Sequence, residues 1–344
     1  MRRFGRSRVP AGGHGSRDGL CGGHRGRTVA GGSGMTVRLG NWSLTSIAGG
    51  DFVLDGGAMY GVVPKVIWQT IHPVDEDNRI PMTMRCLLLR GEVDGRERIV
   101  LVDTGAGTKL SEKLVAIYGI DYSQHDLIGS LAAAGVTPTQ VTDVILTHLH
   151  FDHCGGATMS VTPPSGEGGG AATGSGEKTE VQPTFPNAVY HLQQRQWEWA
   201  LAPSERDRAS YLEDNFVPLD RSGQLDLVEG EIEILPDVFL LVVNGHTPGQ
   251  QLPLIRTTRR TFLYCADLFP FVSHLHLPYI MAYDLAPLRT LEEKKRVLPR
   301  AVEEEWVLFF EHDAATECCT VEETPRGYRA AETLSLEDCF TSCE

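Results

Sequence analysis

Apolar residues in this chain fall mostly into short runs bounded by Gly, Pro, Asp or Asn. Met82 to Glu92 alternates apolar and polar side chains, the period of a half-buried strand, and Glu97 to Val102 reads as its hairpin partner across Val93, Asp94 and Gly95. Leu39 to Leu54 alternates more loosely and predicts one or two short strands. Val141 to Leu146, Phe239 to Val243 and Trp306 to Phe310 are unbroken apolar runs of buried-strand length. Gln251 to Arg256 with Thr261 to Ala266 predicts another hairpin, turning at residues 257–260. Helical spacing is rarer. Thr108 is placed to cap a helix ending at Tyr118, with Leu110, Leu114 and Tyr118 on one stripe. Ser123 to Ala134, closed by Gly135, and Gln193 to Ala202 predict two more. Thr290 with Glu293 has capping-box spacing for a last helix, which Pro299 should kink or divide. Strands interspersed with helices make this an α/β chain. Asp55 to Gly61 reads as a glycine-rich loop that presents Met59 and Tyr60 to a pocket or to the core.

Composition changes this picture mainly at the ends. Residues 1–34 carry seven Arg and one Asp among many Gly, a charge of +6 that leaves −20 of the chain's −14 total on the remainder. They lack an apolar core of their own and are expected to be a disordered basic extension. Residues 35–317 are expected to form the globular domain, interrupted at 162–182 by a Pro, Gly, Ser and Thr-rich flexible insertion. Residues 318–344 are expected to be a loosely ordered acidic tail. The acidic body argues against nucleic acid as a partner, and no apolar run reaches the roughly 18 residues of a membrane span. Eight scattered Cys form no disulfide framework, so a reducing cytoplasm is the simpler reading.

The chemistry concentrates in Thr147-His148-Leu149-His150-Phe151-Asp152-His153-Cys154-Gly155-Gly156. Three His and one Asp lie within six residues, where an apolar strand exits into a tight loop. Imidazole and carboxylate are the donors that zinc and similar divalent metals take. His148 and His150 are spaced to point together, while Asp152 and His153 fall on the turn and can aim at a second point. Three further apolar strands end in a donor: His246 in Asn244-Gly245-His246-Thr247-Pro248-Gly249-Gln250, Asp267 after Thr261 to Ala266, and His312 after Trp306 to Phe310. His191, alone near aromatic residues, is expected to be structural.

The run His148 to His153, the turn at His246, and Asp267 and His312 together resemble the metallo-β-lactamase superfamily over about residues 37–313. The resemblance implies an αβ/βα four-layer sandwich, with two mixed β-sheets, helices on the outer faces and the site at one edge. It implies two Zn²⁺ ions, other divalent metals fitting the same donors. His148, His150 and His246 would hold the first, Asp152, His153 and His312 the second, and Asp267 would bridge them. The Gly-rich context of Met59 and Tyr60, with Ala266-Asp267-Leu268-Phe269-Pro270, most resembles the branch of acyl-homoserine lactonases and methyl parathion hydrolase-like enzymes. The implied activity is hydrolysis of a small-molecule ester or lactone. Two metals about 3.5–4 Å apart share a water and lower its pKa toward about 7. Asp152 would be the catalytic proton carrier to the leaving oxygen.

Known lactonases carry a Tyr three residues after the bridging Asp, where this chain has Pro270. Tyr60, Tyr264, His274, His276, Tyr279 and Tyr283 are the candidate replacements. β-Lactam hydrolysis is disfavoured, because the strand that ends in Asp267 lacks a Cys at that position. A phosphotriesterase or thioesterase of the same fold, and a mononuclear-iron sulfur dioxygenase, are the alternative activities. A non-catalytic binding module would lack ligands, and none of the seven is missing. A homodimer is compatible with the sequence.

Overall fold

The structure is a computed structural model, and residues 37–39, 42–161, 180–257 and 260–341 are described. The expected basic extension 1–34 and residues 162–179 of the expected insertion lie outside them. The end of that insertion is a strand, Glu180–Pro183, paired antiparallel with Thr158–Val161.

Two seven-stranded mixed sheets carry the fold. The first runs Val37–Leu39, Trp42–Asp55, Arg79–Val93, Arg96–Val102, Asp143–Ile145, Val189–Gln193 and Leu225–Val228 in spatial order. The second runs Glu233–Leu235, Val238–Val243, Gln250–Arg256, Thr261–Tyr264, Val307–Phe309, Cys318–Thr324 and Gly327–Leu334. Period-two alternation decides which side chains meet. Leu87, Leu89, Val100 and Val102 pack with Leu240, Phe262, Tyr264 and Phe309 between the sheets. Cys86, Leu88, Ile99 and Leu101 face the other way, onto Leu127 and Leu131 of helix Leu127–Ala133. Helix Pro287–Glu303 covers the second sheet through Val297, Leu298 and Ala301. The order helix, sheet, sheet, helix is the four-layer α/β sandwich expected. No helix of the described residues is long and apolar enough to cross a membrane.

Several local expectations are corrected. Gly56–Tyr60 is a short helix rather than a loop, because the Asp55 carboxylate accepts from the Ala58 N–H. Ser111, not Thr108, caps helix Glu112–Tyr118. Helix Pro287–Glu303 begins at a proline in its first turn and passes Pro299 undivided, since that ring lies on the exposed face, where the freed carbonyl meets water. Thr290 and Glu293 are therefore inside the helix, and they do something else: the Glu293 carboxylate accepts from the N–H groups of Asn244 and Gly245 at 2.7 and 3.0 Å. Gly245 is required there by close approach, as a Cβ would fall 2.2 Å from Thr290 Oγ1.

Residues 318–341 are not a loose tail. Cys318–Thr324 and Gly327–Leu334 form a hairpin, and its first strand pairs with Val307–Phe309. The acidic side chains that suggested a solvated tail stay near water: Glu323 and Glu332 are exposed, and Glu322 pairs with Arg329 at 2.6 Å. Cys318, Cys319, Val321, Leu336 and Cys339 are buried. The six cysteines of the described residues are all unpaired and buried.

Candidate metal centre

Four strand ends meet at one edge of the sandwich. Asp143–Ile145 runs out into Thr147 to His150 and the short helix Phe151–Cys154. Val238–Val243 leads to His246, Thr261–Tyr264 to a 3-10 turn carrying Asp267, and Val307–Phe309 to His312. The Gly155-Gly156 pair turns the chain here at ordinary helical angles, so it serves close packing rather than an unusual backbone. A Cβ on Gly155 would fall 2.1 Å from the Ala106 carbonyl oxygen. Left-handed backbones at Asp103 (φ 55°) and Ala266 (φ 40°) do mark local strain beside the site.

The seven candidate donors are all buried and form two groups. His148, His150, His246 and Asp267 offer atoms within 4.8 Å of one another, as do Asp152, His153 and His312. Asp267 reaches both groups. Its Oδ2 is 3.0 Å from His246 Nε2, 3.6 Å from His148 Nε2 and 3.5 Å from His153 Nε2, and its Oδ1 is 3.2 Å from His312 Nε2. Asp152 Oδ2 stands 3.8 Å from the Nε2 atoms of both His153 and His312.

The far ring nitrogens are held as ligand imidazoles require. His246 Nδ1 faces Asp284 Oδ1 at 2.9 Å, and the other Asp284 oxygen accepts from Thr290 Oγ1 at 2.7 Å. His312 Nδ1 faces the Thr83 carbonyl at 2.8 Å. His153 Nδ1 lies 3.0 Å from Asp103 Oδ2 and 2.9 Å from Glu311 Oε2. Asp103 also accepts from the Thr147 N–H and hydroxyl, both at 2.7 Å, and so fixes the entry to the histidine run. Asp103 was recognisable in the sequence as a strand-end carboxylate, a turn former or a support behind a ligand. Asp284 was not, since it lies in a loop without periodicity, and Glu311 passed as a neighbour of His312.

This geometry tests the fit to metal. Acceptors keep a proton on Nδ1 of His153 and His312, so in the neutral rings the Nε2 lone pairs face one another at 3.1 Å. His148 Nε2 and His246 Nε2 likewise crowd His150 Nδ1 at 3.0 and 3.1 Å. Converging lone pairs repel unless a cation lies between them, and Asp267 Oδ1 accepts no hydrogen bond although buried. The residues fit two closely spaced divalent ions. Without ions the electrostatics are divided. Burial and the neighbouring imidazoles hold His148 and His150 well below the usual imidazole range. Burial opposes charge on His246, yet Asp267 and Asp284 push it up to about 10, so a metal must displace a proton there. Burial is also outweighed at Asp267, which His246, His153 and His312 hold well below the carboxylate range.

His191 lies apart from both groups, with Nε2 3.0 Å from Asp143 Oδ1 and Nδ1 2.9 Å from Asp226 Oδ2. Burial opposes its charge, but the two carboxylates raise its pKa above 6.5. A raised folded-state pKa means stabilisation fully present below about pH 6.5 and lost as pH rises through the folded value. His191→Ala is therefore expected to retain full metal content and to lose about 1–3 kcal/mol of stability near pH 6, with a smaller loss near pH 9. Denaturant titrations at the two pH values, with metal analysis, check this. Metal loss equal to that of His148→Ala would put His191 in the centre.

Five of the donors, His150, Asp152, His246, Asp267 and His312, floor a cavity of about 250 Å³. Leu54, Met59, Met82, Phe151 and Met281 give it an apolar wall, and Arg206, Asp207, Ser210 and Tyr283 line it as well. That is room for a small molecule. Met59 lines the cavity as expected, but Tyr60 does not. It is buried, stacked on Trp68 with ring centroids 5.5 Å apart, and its hydroxyl meets Ser273 Oγ at 2.8 Å. The glycines around it permit tight packing rather than display. Of the six groups weighed against Pro270, Tyr283 lines the cavity. The Tyr264 hydroxyl donates to the Arg85 carbonyl and His274 Nε2 faces the Met59 carbonyl, both inside the fold. Burial, Asp55, Tyr118 and Asp152 push the Tyr283 phenol up to about 12, so it keeps its proton at neutral pH.

Residues 86–162 match the family model of the metallo-beta-lactamase superfamily. An N-acyl homoserine lactonase of Bacillus cereus is 25% identical over 249 residues, 70% of this chain and 85% of that protein. A probable metal-dependent hydrolase from Staphylococcus aureus superposes with a TM-score of 0.73 at 28% identity, over 88% of this chain and 99% of that one. AidC, a dizinc quorum-quenching lactonase, shares the fold with a TM-score of 0.66 at 18% identity, over 88% of this chain and 97% of its own.

Proposed function

We propose, from the premise that the chain belongs to the metallo-β-lactamase superfamily and is a metal-dependent hydrolase, that it opens the ester bond of a small lactone or ester with two zinc ions. The observation that carries this reading is the pair of donor groups sharing Asp267 beneath an apolar-walled cavity. His148, His150 and His246 would hold one ion, Asp152, His153 and His312 the other, with Asp267 between. When bound, two such ions supply Lewis acidity and a water acidified toward pKa about 7. Asp152 can bind through one oxygen and take a proton on the other, which suits a carrier to the leaving oxygen. Met59, Met82 and Met281 exclude water from the acyl side and adapt to its shape. The lactonase likeness of the Bacillus cereus relative supports the ester or lactone over phosphotriesters and thioesters.

The test is elemental analysis of purified protein with a panel of lactones, aryl esters, phosphotriesters, thioesters and β-lactams. Two zinc per chain and turnover concentrated on lactones or esters is the expected result. One iron per chain with no zinc at full activity would replace this reading with the dioxygenase.

A further inference from the structure

We propose that Arg206 recognises a carboxylate at the far end of the substrate's acyl chain, so that the preferred substrates are esters or lactones with an anionic tail. The inference rests on the hydrolase reading above and names its substrate class. Arg206 is the one Arg or Lys among the described residues lining the cavity, which otherwise offers an apolar wall and the histidine and aspartate donors of the floor. An acyl chain lying along Met59, Met82 and Met281 would extend from the metal donors toward the other lining residues, and Arg206 is the group among them that attracts an anion.

The guanidinium is positioned and still open. One of its amino groups donates to the Ala282 carbonyl, tying residue 206 to the loop that carries Met281 and Tyr283. The turn beneath it is fixed, because the Asp207 carboxylate accepts from Trp199 Nε1 at 2.7 Å and from Ser204 Oγ at 2.6 Å. Those bonds engage the acid next in the chain elsewhere, and Glu205 pairs with Arg208 at 4.0 Å. Among the described residues no carboxylate forms an ion pair with Arg206, in a chain whose net charge is −14. A guanidinium has five N–H donors in a planar fork matched to a carboxylate. A substrate carboxylate would meet that fork without displacing an internal partner.

The experiment compares 4-nitrophenyl hexanoate with mono-4-nitrophenyl adipate, which has the same chain length and a terminal carboxylate. The zinc-loaded protein, Arg206→Gln and Arg206→Lys are each assayed at low and high salt. The wild type is expected to favour the adipate ester in kcat/KM by roughly tenfold or more, with the preference shrinking in salt. Arg206→Gln should collapse the ratio to near one, and Arg206→Lys should keep part of it. Binding of hexanoate and adipate, measured by calorimetry, gives the same comparison without turnover. Adipate preference in binding with neither ester hydrolysed would sink the hydrolase reading and leave this one standing. Equal wild-type preference overturns the proposal. So does an equal loss on both esters in Arg206→Gln, which would make the Ala282 contact a latch on the loop and nothing more.

Discussion

Asp267→Asn is expected to strip metal from both donor groups and to lower kcat/KM by more than the roughly 10–100-fold that follows from disturbing a group behind a ligand. The reason is its reach: its two oxygens lie 3.0 to 3.6 Å from nitrogens of His148, His153, His246 and His312. An amide at that point removes the negative charge and turns one oxygen into a donor that faces imidazole protons or cations. The same change removes the carboxylate that does most to raise the His246 pKa, while Asp284 still holds that ring's Nδ1. Metal content after dialysis and the rate on the best substrate are the two measurements, with a circular-dichroism spectrum to show that the fold persists. Retention of two ions at the normal rate would end the bridging assignment.

Asp152→Asn should separate binding from proton transfer. Asp152 Oδ2 stands 3.8 Å from two imidazole nitrogens and makes fewer close contacts than Asp267, so its amide should retain more metal. The amide cannot accept a proton, and general acid–base catalysis contributes roughly 10²–10⁴-fold. A kcat loss of about that size is expected for a lactone or alkyl ester, with a smaller deficit for nitrophenyl esters, whose leaving group needs no proton. Normal turnover of a poor-leaving-group lactone by the fully loaded variant would reduce Asp152 to a ligand.

The donors could be found in the chain because each stands where an apolar strand stops, and four are packed between His148 and His153. Period-two alternation likewise showed the long hairpin and the buried strands, since burial of one face forces that pattern. What stayed hidden depends on segments distant in sequence. Asp284 supports His246 because helix Pro287–Glu303 packs against Gly245, and Glu293 reaches the Asn244 and Gly245 amides from the same helix. Local spacing made Glu293 look like half of a cap. Tyr60 looked like a cavity wall for a similar reason: flanking glycines mark close packing without saying against what, and here the neighbour is Trp68. The terminal hairpin was missed because its strands carry exposed charges and its small buried cysteines carry little hydropathic signal.

The division of donors between the sheets ties loading to folding. His148, His150, Asp152 and His153 follow strands of the first sheet, whereas His246, Asp267 and His312 follow strands of the second. A cation held among them would clasp the two halves of the sandwich and be released when they part. Such an ion adds to unfolding free energy by mass action, about 2.7 kcal/mol when its free concentration is about 100 times its dissociation constant. A chelator would then act as a mild denaturant, and the supply of metal would set the stability of the folded chain as well as its rate of turnover.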